Sequence, residues 1–200
     1  MLFPFLTIFI LFLLTLTYFR NKAVHEEKEN RDKFWDRENQ ANQTRRQDIS
    51  GLPYIEIPLD SLPLGICTTD YCKKLEEQLT DLSGRKILNL SSFSNTDLKL
   101  TYGAANLPFL TECDQNFTQL SNLLYSYGKA LEDNGFCKEA ICILEYGVSI
   151  KCDMSRLFLL LASLYKKENE PEKIKSLIEK ASDLSPLLRD STIKQLETYL

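Results

Sequence analysis

The residue types that carry out catalysis or bind metals are scarce in this chain of 200 residues. His25 is the single histidine and lies in a polar stretch near the N-terminus, so no Ser-His-Asp triad or multi-histidine metal site can be assembled. The six cysteines include Cys67 and Cys72, five residues apart, and Cys137 and Cys142 with the same spacing. No C-x-x-C pair begins a zinc site or a redox motif. We expect buried or free thiols, no bound metal and no cofactor.

The carboxylates and glycines do not indicate an active site either. Glu76 and Glu77 are adjacent, so they diverge on a helix, and none of the seven glycines belongs to a G-x-G-x-x-G or phosphate-binding loop. A net charge of −4 gives no general field that attracts nucleic acid. The sequence predicts a protein that is not an enzyme and has no catalytic residues. Neither nucleic acid nor a small-molecule substrate is expected among its partners.

Residues 1–19 carry no charged side chain. As a helix they would reach about 28 Å, close to the roughly 30 Å hydrocarbon thickness of a bilayer. A cleaved signal peptide requires a positively charged start and small residues at the cleavage site, and this segment has neither. A signal peptide and a buried helix are the alternatives, but the composition favours an uncleaved transmembrane anchor.

Basic residues flank the anchor on its C-terminal side alone, within about 20 residues of the membrane, where they determine orientation. They are Arg20, Lys22, Lys28, Arg31, Lys33 and Arg37. This distribution predicts a single-pass protein of the cell membrane with the bulk of the chain in the cytoplasm. Glycosylation triplets at Asn42, Asn89 and Asn116 would have no role in that compartment.

Residues 20–50 contain eight basic and seven acidic residues and almost no aliphatic ones, so they cannot bury a core. We predict a charged juxtamembrane stalk. It should be partly helical, because pairs such as Glu29 and Lys33 have the acid four residues before the base. Phe34 and Trp35 stand out among charged neighbours. They either contact a partner or the lipid headgroups, or they dock onto the chain's own domain.

Residues 51–118 are predicted to form a proline-stiffened strap and short helices that cover the domain that follows. Three prolines within 51–66 forbid a central strand and favour an extended segment. A first helix has leucines at helical spacing and ends at Gly84. A second can be capped by Ser94 or Asn95 and ends before Pro108.

From residue 119 onward the pattern is helical, and a shift of the chain on itself by 34 residues aligns two units. The first, 121–154, holds Leu124, Tyr127, Gly128, Leu131, Gly135, Ala140, Leu144 and Gly147 at the pattern positions. The second, 155–188, holds Phe158, Leu161, Ala162, Tyr165, Asn169, Ile174, Ile178 and Ala181 at the same offsets. Small residues let two helix backbones approach closely, while the larger side chains fill the spaces between them.

This order of large and small residues resembles the tetratricopeptide repeat (TPR) family, whose unit of about 34 residues is a pair of antiparallel helices. Two units are fewer than the roughly three that a stable solenoid needs, so residues 187–200 are predicted to form a capping helix. The expected fold is all-α, with an N-terminal transmembrane helix, a charged stalk and a short TPR-like solenoid over 119–200. Together these parts resemble membrane proteins of low-GC Gram-positive bacteria.

The resemblance implies a peptide-binding groove lined by the first helix of each pair. The implied partner-binding residues are Asn122, Tyr125, Lys129, Arg156, Ser163, Lys166 and Lys167, with Glu132, Asp133 and Leu159 on the same face. The basic members would meet a carboxylate or an acidic segment of the partner. The alternative is that these positions are merely solvated.

Two functions fit these expectations. The first is a membrane-tethered adaptor or scaffold that recruits a cytosolic protein or peptide through the groove. The second is a structural subunit or assembly factor that buries its repeats in a permanent membrane complex. An adaptor keeps a polar groove, whereas a permanent subunit exposes a contiguous apolar face of several hundred Å².

Overall fold

The computed structural model describes residues 3–200, so the first two residues of the predicted anchor lie outside the described part. Within that part the secondary structure is entirely helical, which confirms the predicted all-α class. The helices are α1 (Phe3–Gln43), α2 (Asp70–Ser83), α3 (Asn95–Tyr102), α4 (Leu107–Asp133), α5 (Cys137–Ser149), α6 (Ser155–Lys167), α7 (Pro171–Ala181) and α8 (Pro186–Glu197). Short 3-10 turns occur at Leu59–Ser61 and Ala104–Asn106.

The chain divides into two compact units. The first contains the chain up to Ile49 together with Ser94–Leu107, and the second contains Ser50–Phe93 together with Pro108–Leu200. Residues 94–107, which belong to the predicted 51–118 segment, therefore pack with α1.

Helix α1 runs without interruption for 41 residues, through the predicted anchor and most of the predicted stalk. It is long and apolar enough to cross a membrane, a criterion that a signal sequence near the N-terminus also meets. The Thr15 hydroxyl donates to the carbonyl oxygen of Phe12 at 2.8 Å, which satisfies this polar group within the helix. In the charged half, Lys33 forms the expected i,i+4 ion pair with Glu29 at 3.7 Å.

Polar contacts fasten α3 to the last turns of α1 in the first unit. The Lys99 ammonium donates to the Glu38 carboxylate, and Arg37 Nη2 donates to Asp97 Oδ1 at 2.5 Å. The hydrogen bond from Lys99 lowers the pKa of Glu38 below its ordinary value. Ser94 begins α3 with a capping box, in which its hydroxyl accepts from the Asp97 backbone N–H at 3.2 Å. Charge and capping therefore determine where this short helix lies.

The connection after α3 is fixed by Asn106 and Gly103. Asn106 is buried and donates to the carbonyl oxygens of Gln47 at 2.8 Å and Tyr102 at 2.7 Å. Gly103 has φ +88°, and a Cβ there would lie 2.5 Å from the carbonyl oxygen of Arg45. Only glycine suits this close approach.

The second unit has an apolar core shared by α2 and the helices from α4 to α8. Small residues lie where its helices approach most closely. A Cβ at Gly128 would meet Leu144 Cδ2 at 2.8 Å, and one at Gly147 would meet Leu157 Cδ1 at 2.7 Å. Ala162 is fully buried. The alternation of small and large residues along the sequence thus serves the packing of α4, α5 and α6.

The strap, residues 51–66, lies against α4 and α5 in the same unit. Ile57 and Leu62 are part of the core, and the Tyr146 hydroxyl donates to the carbonyl oxygen of Glu56 at 3.2 Å. The Tyr127 hydroxyl donates to Glu76 Oε1 at 2.6 Å and lies 2.9 Å from the Pro63 carbonyl oxygen. Burial and the bond to Glu76 raise the pKa of Tyr127 far above its ordinary value.

Candidate functional site

Three of the predicted groove residues meet where α4 runs beside α6. Arg156 Nη2 donates to Asn122 Oδ1 at 2.6 Å, a bond between residues 34 apart in the sequence. The Arg156 guanidinium carbon lies 4.6 Å from the centre of the Tyr125 ring, which is a cation–π distance. Asn122, Tyr125 and Arg156 form what we call the arginine cluster. Arg156 Nε also donates to Met154 Sδ at 3.1 Å, so the plane of the guanidinium is fixed and the Nη1 donors point to no partner in the described part of the chain.

A second group, the carboxylate cluster, lies further along the same two helices and consists of Lys129, Glu132, Asp133 and Lys167. Glu132 has a side chain that is 10% exposed, and it accepts from Lys167 at 2.5 Å and from Lys129 at 2.9 Å. Lys129 also donates to Asp133 at 2.7 Å. Two cations and two carboxylates are thereby neutralised within the chain.

The ionisation of the carboxylate cluster follows from these contacts. Burial opposes the charged form of Glu132, but the hydrogen bonds from Lys167 and Lys129 outweigh burial and lower the pKa of Glu132. The bonds to Asp133 and Glu132 raise the pKa of Lys129, and the bond to Glu132 raises that of Lys167. Glu132, Lys129 and Lys167 therefore remain charged near neutral pH.

The remaining predicted residues lie nearer α8 or turn away from solvent. Lys166 Nζ donates to the Thr198 carbonyl oxygen at 3.4 Å and lies 5.9 Å from the centre of the Tyr199 ring. The Ser163 hydroxyl donates to the Leu160 carbonyl oxygen of its own helix at 2.7 Å. Ser163 thus has its hydrogen committed to the backbone, whereas Lys166 faces the C-terminal end of α8.

An open depression of about 400 Å³ adjoins both clusters. Tyr125, Lys129 and Asp133 line it from α4, and Thr69 and Tyr71 line it from the start of α2. The Tyr71 side chain is 57% exposed. Tyr71 was not a predicted site residue, because the repeat resemblance begins only at residue 121. Its signal in the sequence is an aromatic residue off the leucine stripe of α2. We call this depression, with the arginine cluster beside it, the groove.

Some basic residues near the groove are paired with carboxylates of the chain, and others have no ion-pair partner. Within the part of the chain that the structure describes, neither Arg156 nor Lys166 forms an ion pair, whereas Lys129 and Lys167 are neutralised by the carboxylate cluster. Arg156 therefore faces outward without an ionic partner, whereas Lys166 contacts the C-terminal end of α8. The arrangement is suited to hydrogen bonding, to charge recognition and to contact with an apolar side chain between Tyr71 and Tyr125.

Two further depressions lie elsewhere in the second unit. One, of about 300 Å³, is lined by Glu145, Tyr165 and Lys173, and the Tyr165 hydroxyl donates to Glu145 Oε1 at 2.7 Å. The other, of about 240 Å³, is lined by Cys152 and Phe158 among others. Neither contains a predicted site residue. Among residues 3–200, no three His, Cys, Asp or Glu side chains are grouped so as to hold a metal ion.

Comparison of the chain with protein-family models, with curated proteins and with solved structures found no match. The class of this protein is therefore described from its own fold. The chain is an all-helical protein with one N-terminal helix that is long and apolar enough to cross a membrane.

Proposed function

We propose that this protein is a membrane-tethered TPR-like adaptor that recruits a cytosolic protein or peptide through the groove. The observation that carries the proposal is the bond between Asn122 and Arg156. These residues were selected from equivalent positions of two units 34 residues apart, and they are adjacent on α4 and α6. A register error of one residue would have turned either side chain by about 100° around its helix.

The packing supports the repeat assignment independently of the groove. α4 and α5 form one helix pair and α6 and α7 a second, and small residues lie where they approach: Gly128, Gly147 and Ala162. α8 follows the second pair, with Leu196 fully buried and Leu187 exposed, as expected of a helix that caps one end of a short solenoid. The strap and α2 supply apolar cover to α4.

The partner chemistry follows from the unpaired charges. Arg156 is held flat by Tyr125 and Asn122, so its free N–H groups suit a carboxylate, which accepts two parallel bonds. The aromatic rings of Tyr71 and Tyr125 suit an apolar side chain next to that carboxylate. We therefore propose a peptide that pairs an acidic group with an apolar residue.

The same features favour an adaptor over a permanent subunit. The groove face carries the charges of Arg156, Lys166 and the carboxylate cluster, and burial of such a surface costs more than burial of an apolar face. The alternative, a structural subunit or assembly factor, predicts a partner that stays bound in equal amount through purification at high salt.

A photo-crosslinking experiment tests the proposal in the full-length protein. A photoreactive amino acid at Ser126, on the groove wall, should capture a partner in membranes. Arg156→Met keeps the side-chain stem and removes the charge, so capture should fall about tenfold or more, as expected for loss of a charge-assisted hydrogen bond. Lys175→Met on α7, where Lys175 pairs with Glu172, is the matched control and should leave capture unchanged.

Equal capture by wild type, Arg156→Met and Tyr125→Ala would contradict the groove as the binding site. An equal yield in all three proteins when the membranes are irradiated in about 1 M salt would favour the permanent subunit. The fold of each variant is checked by its circular dichroism.

The proposed cytoplasmic orientation has a separate test. Cys142 is exposed, whereas Cys67 and Cys72 are buried, so Cys142 is the suitable target for a membrane-impermeant maleimide. We expect labelling of Cys142 in permeabilised cells and none in intact cells. Labelling in intact cells would reverse the orientation and, with it, the choice of a cytosolic partner.

A further inference from the structure

Two cysteines flank the start of α2 and contact each other. The Cys67 and Cys72 thiols each affect the ionisation of the other, and the Thr69 hydroxyl lies 3.2 Å from Cys67 Sγ. Thr69 is also the N-cap of α2 and accepts from the Cys72 backbone N–H at 3.3 Å. The two thiols and the capping hydroxyl thus form one small polar group at the positive end of a helix of 14 residues.

The cover over this pair is thin. Cys67 is 2% exposed and Cys72 is 0% exposed, but residues 65–66 and 68–71 around them are all exposed. A small solute therefore needs only a local opening of the strap end to reach the sulfur atoms. Gly65, two residues before Cys67, has φ +77° and no atom within 4 Å of its Cβ position, and its N–H donates to Glu76 Oε1 at 2.9 Å, so this one bond holds the end of the strap to α2.

The two thiols differ in acidity. Burial opposes ionisation of Cys67, but the hydrogen bonds from Cys72 and Thr69 outweigh it and lower the pKa of Cys67. Burial and the hydrogen bond to Cys67 raise the pKa of Cys72. Cys67 is thus the more acidic thiol and the better nucleophile of the two, and Cys72 is the less acidic thiol held beside it. By contrast, burial raises the pKa of Cys152 to about 11.

We infer that Cys67 and Cys72 are a redox-active pair, which hydrogen peroxide oxidises to a disulfide and a thiol reductant restores. The Cys67 thiolate attacks one oxygen of the peroxide, the O–O bond breaks, and the leaving hydroxide takes up a proton to become water. Cys67 is then a sulfenic acid. The Cys72 sulfur attacks the Cys67 sulfur, the S–S bond forms, the S–O bond breaks, and the hydroxyl leaves as water with the Cys72 proton. Two electrons pass from the two sulfurs to one peroxide.

The disulfide also affects the groove, a consequence that rests on the proposed function while the oxidation itself does not. Thr69 and Tyr71, which line the groove, lie between the two cysteines. Closure of this short loop takes away the thiol that contacts the Thr69 hydroxyl and ties the end of the strap to α2. Oxidation should therefore change the position of Tyr71 and the capture of a groove partner.

The test uses the full-length protein in detergent micelles, reduced, treated with hydrogen peroxide, and then unfolded with iodoacetamide present. Trypsin releases one peptide, residues 47–73, that contains both cysteines. We expect this peptide to lose both alkylation sites and to become lighter by two hydrogens, and a thiol reductant should restore both sites. Cys72→Ser should trap the sulfenic acid on Cys67, detected with dimedone, whereas Cys67→Ser should give no dimedone adduct on Cys72.

Cys113→Ser is the matched control, because Cys113 is buried in the same unit, and it should oxidise like the wild type. The inference is overturned if peptide 47–73 stays doubly alkylated under conditions that oxidise Cys142. It is also overturned if the two serine variants form dimedone adducts equally. Formation of the disulfide without any change in groove capture would keep the redox pair and count against the groove as the binding site.

Discussion

Each of the two units of this protein is stabilised internally by a different kind of interaction. In the first unit, α3 is attached to α1 through charged and capped contacts such as Lys99 with Glu38 and Arg37 with Asp97. In the second, Tyr127, Leu144 and their neighbours form a buried apolar core. The Arg37 and Asp97 side chains are exposed, and exposed ion pairs contribute little to stability and are screened by salt, whereas Lys99 and Glu38 are each 17% exposed and are screened less. Apolar burial is large and insensitive to salt. The stability of the two units should therefore respond separately to mutation, acid and salt.

The largest effect should come from a cavity in the second unit. Leu144→Ala removes a side chain that is 0% exposed and packs over Gly128, so it should destabilise the second unit by about 2 to 5 kcal/mol. Leu187→Ala, the same change at a side chain that is 90% exposed, should stay within about 0.5 kcal/mol. Amide hydrogen exchange of α4 to α6 in the full-length protein measures both. Similar losses at the two sites would contradict the burial described for Leu144.

Overpacking should cost somewhat less. Ala162 is fully buried where α6 meets its neighbours, so Ala162→Leu should destabilise the second unit by about 1 to 3 kcal/mol. Lys166→Ala on the exposed side of the same helix should change the stability by no more than about 0.5 kcal/mol. A denaturant titration of the full-length variants measures the difference. Equal tolerance at both positions would mean that the repeat register is wrong.

A smaller effect should appear in acid. Because the folded-state pKa of Glu132 is lowered, its stabilisation is fully present above the ordinary value of 4.5 and is lost as the pH falls through the lower folded value. We expect Glu132→Gln to cost about 1 kcal/mol at neutral pH and to flatten the loss of stability below that range. Thermal unfolding measured from pH 3 to 7 gives the slope for each protein. Identical slopes would exclude Glu132 as a source of the acid sensitivity.

The smallest effect should be confined to the first unit. Lys99→Met removes the ion pair with Glu38 but keeps the apolar stem, so the amides of α3 should exchange faster while those of the second unit stay the same. Sodium chloride at about 1 M should produce a smaller change in the same direction in the wild type, since the screening length falls to about 3 Å but Lys99 and Glu38 are each only 17% exposed. Faster exchange throughout the chain would show that the two units do not respond separately.

Local signals account for the parts of the fold that could be predicted. Leucines at helical spacing and the stop at Gly84 predicted α2, and Ser94, one of the two candidate caps with Asn95, predicted the start of α3. The early start of α4 at Leu107 did not follow from the pattern, which was traced from residue 119. Pro108 suggests a break, yet a proline is compatible with the first turn of a helix, where its missing N–H would have had no partner.

The candidate site was only partly accessible from the sequence. A repeat period predicts which side chains share a face, and Asn122 and Arg156 do lie together. It does not reveal which of them pair with each other. Glu132 neutralises Lys129 and Lys167 because of side-chain reach between α4 and α6, which no spacing rule contains. Tyr71 comes from a helix outside the repeat pattern, so only the folded chain brings it to the groove.

Because α1 is one continuous helix, its apolar end fixes the rotational orientation of its charged end about the helix axis. A flexible stalk would let whatever follows it face any direction, but a continuous helix of 41 residues transmits a definite angle over about 60 Å. With the apolar end held in a bilayer, one residue inserted between 21 and 30 would turn the site where α3 attaches by about 100° and raise it by about 1.5 Å. Seven inserted residues would bring that site back to within about 20° of its original direction, about two helical turns further from the membrane. The number of residues in the stalk therefore encodes a direction as well as a height.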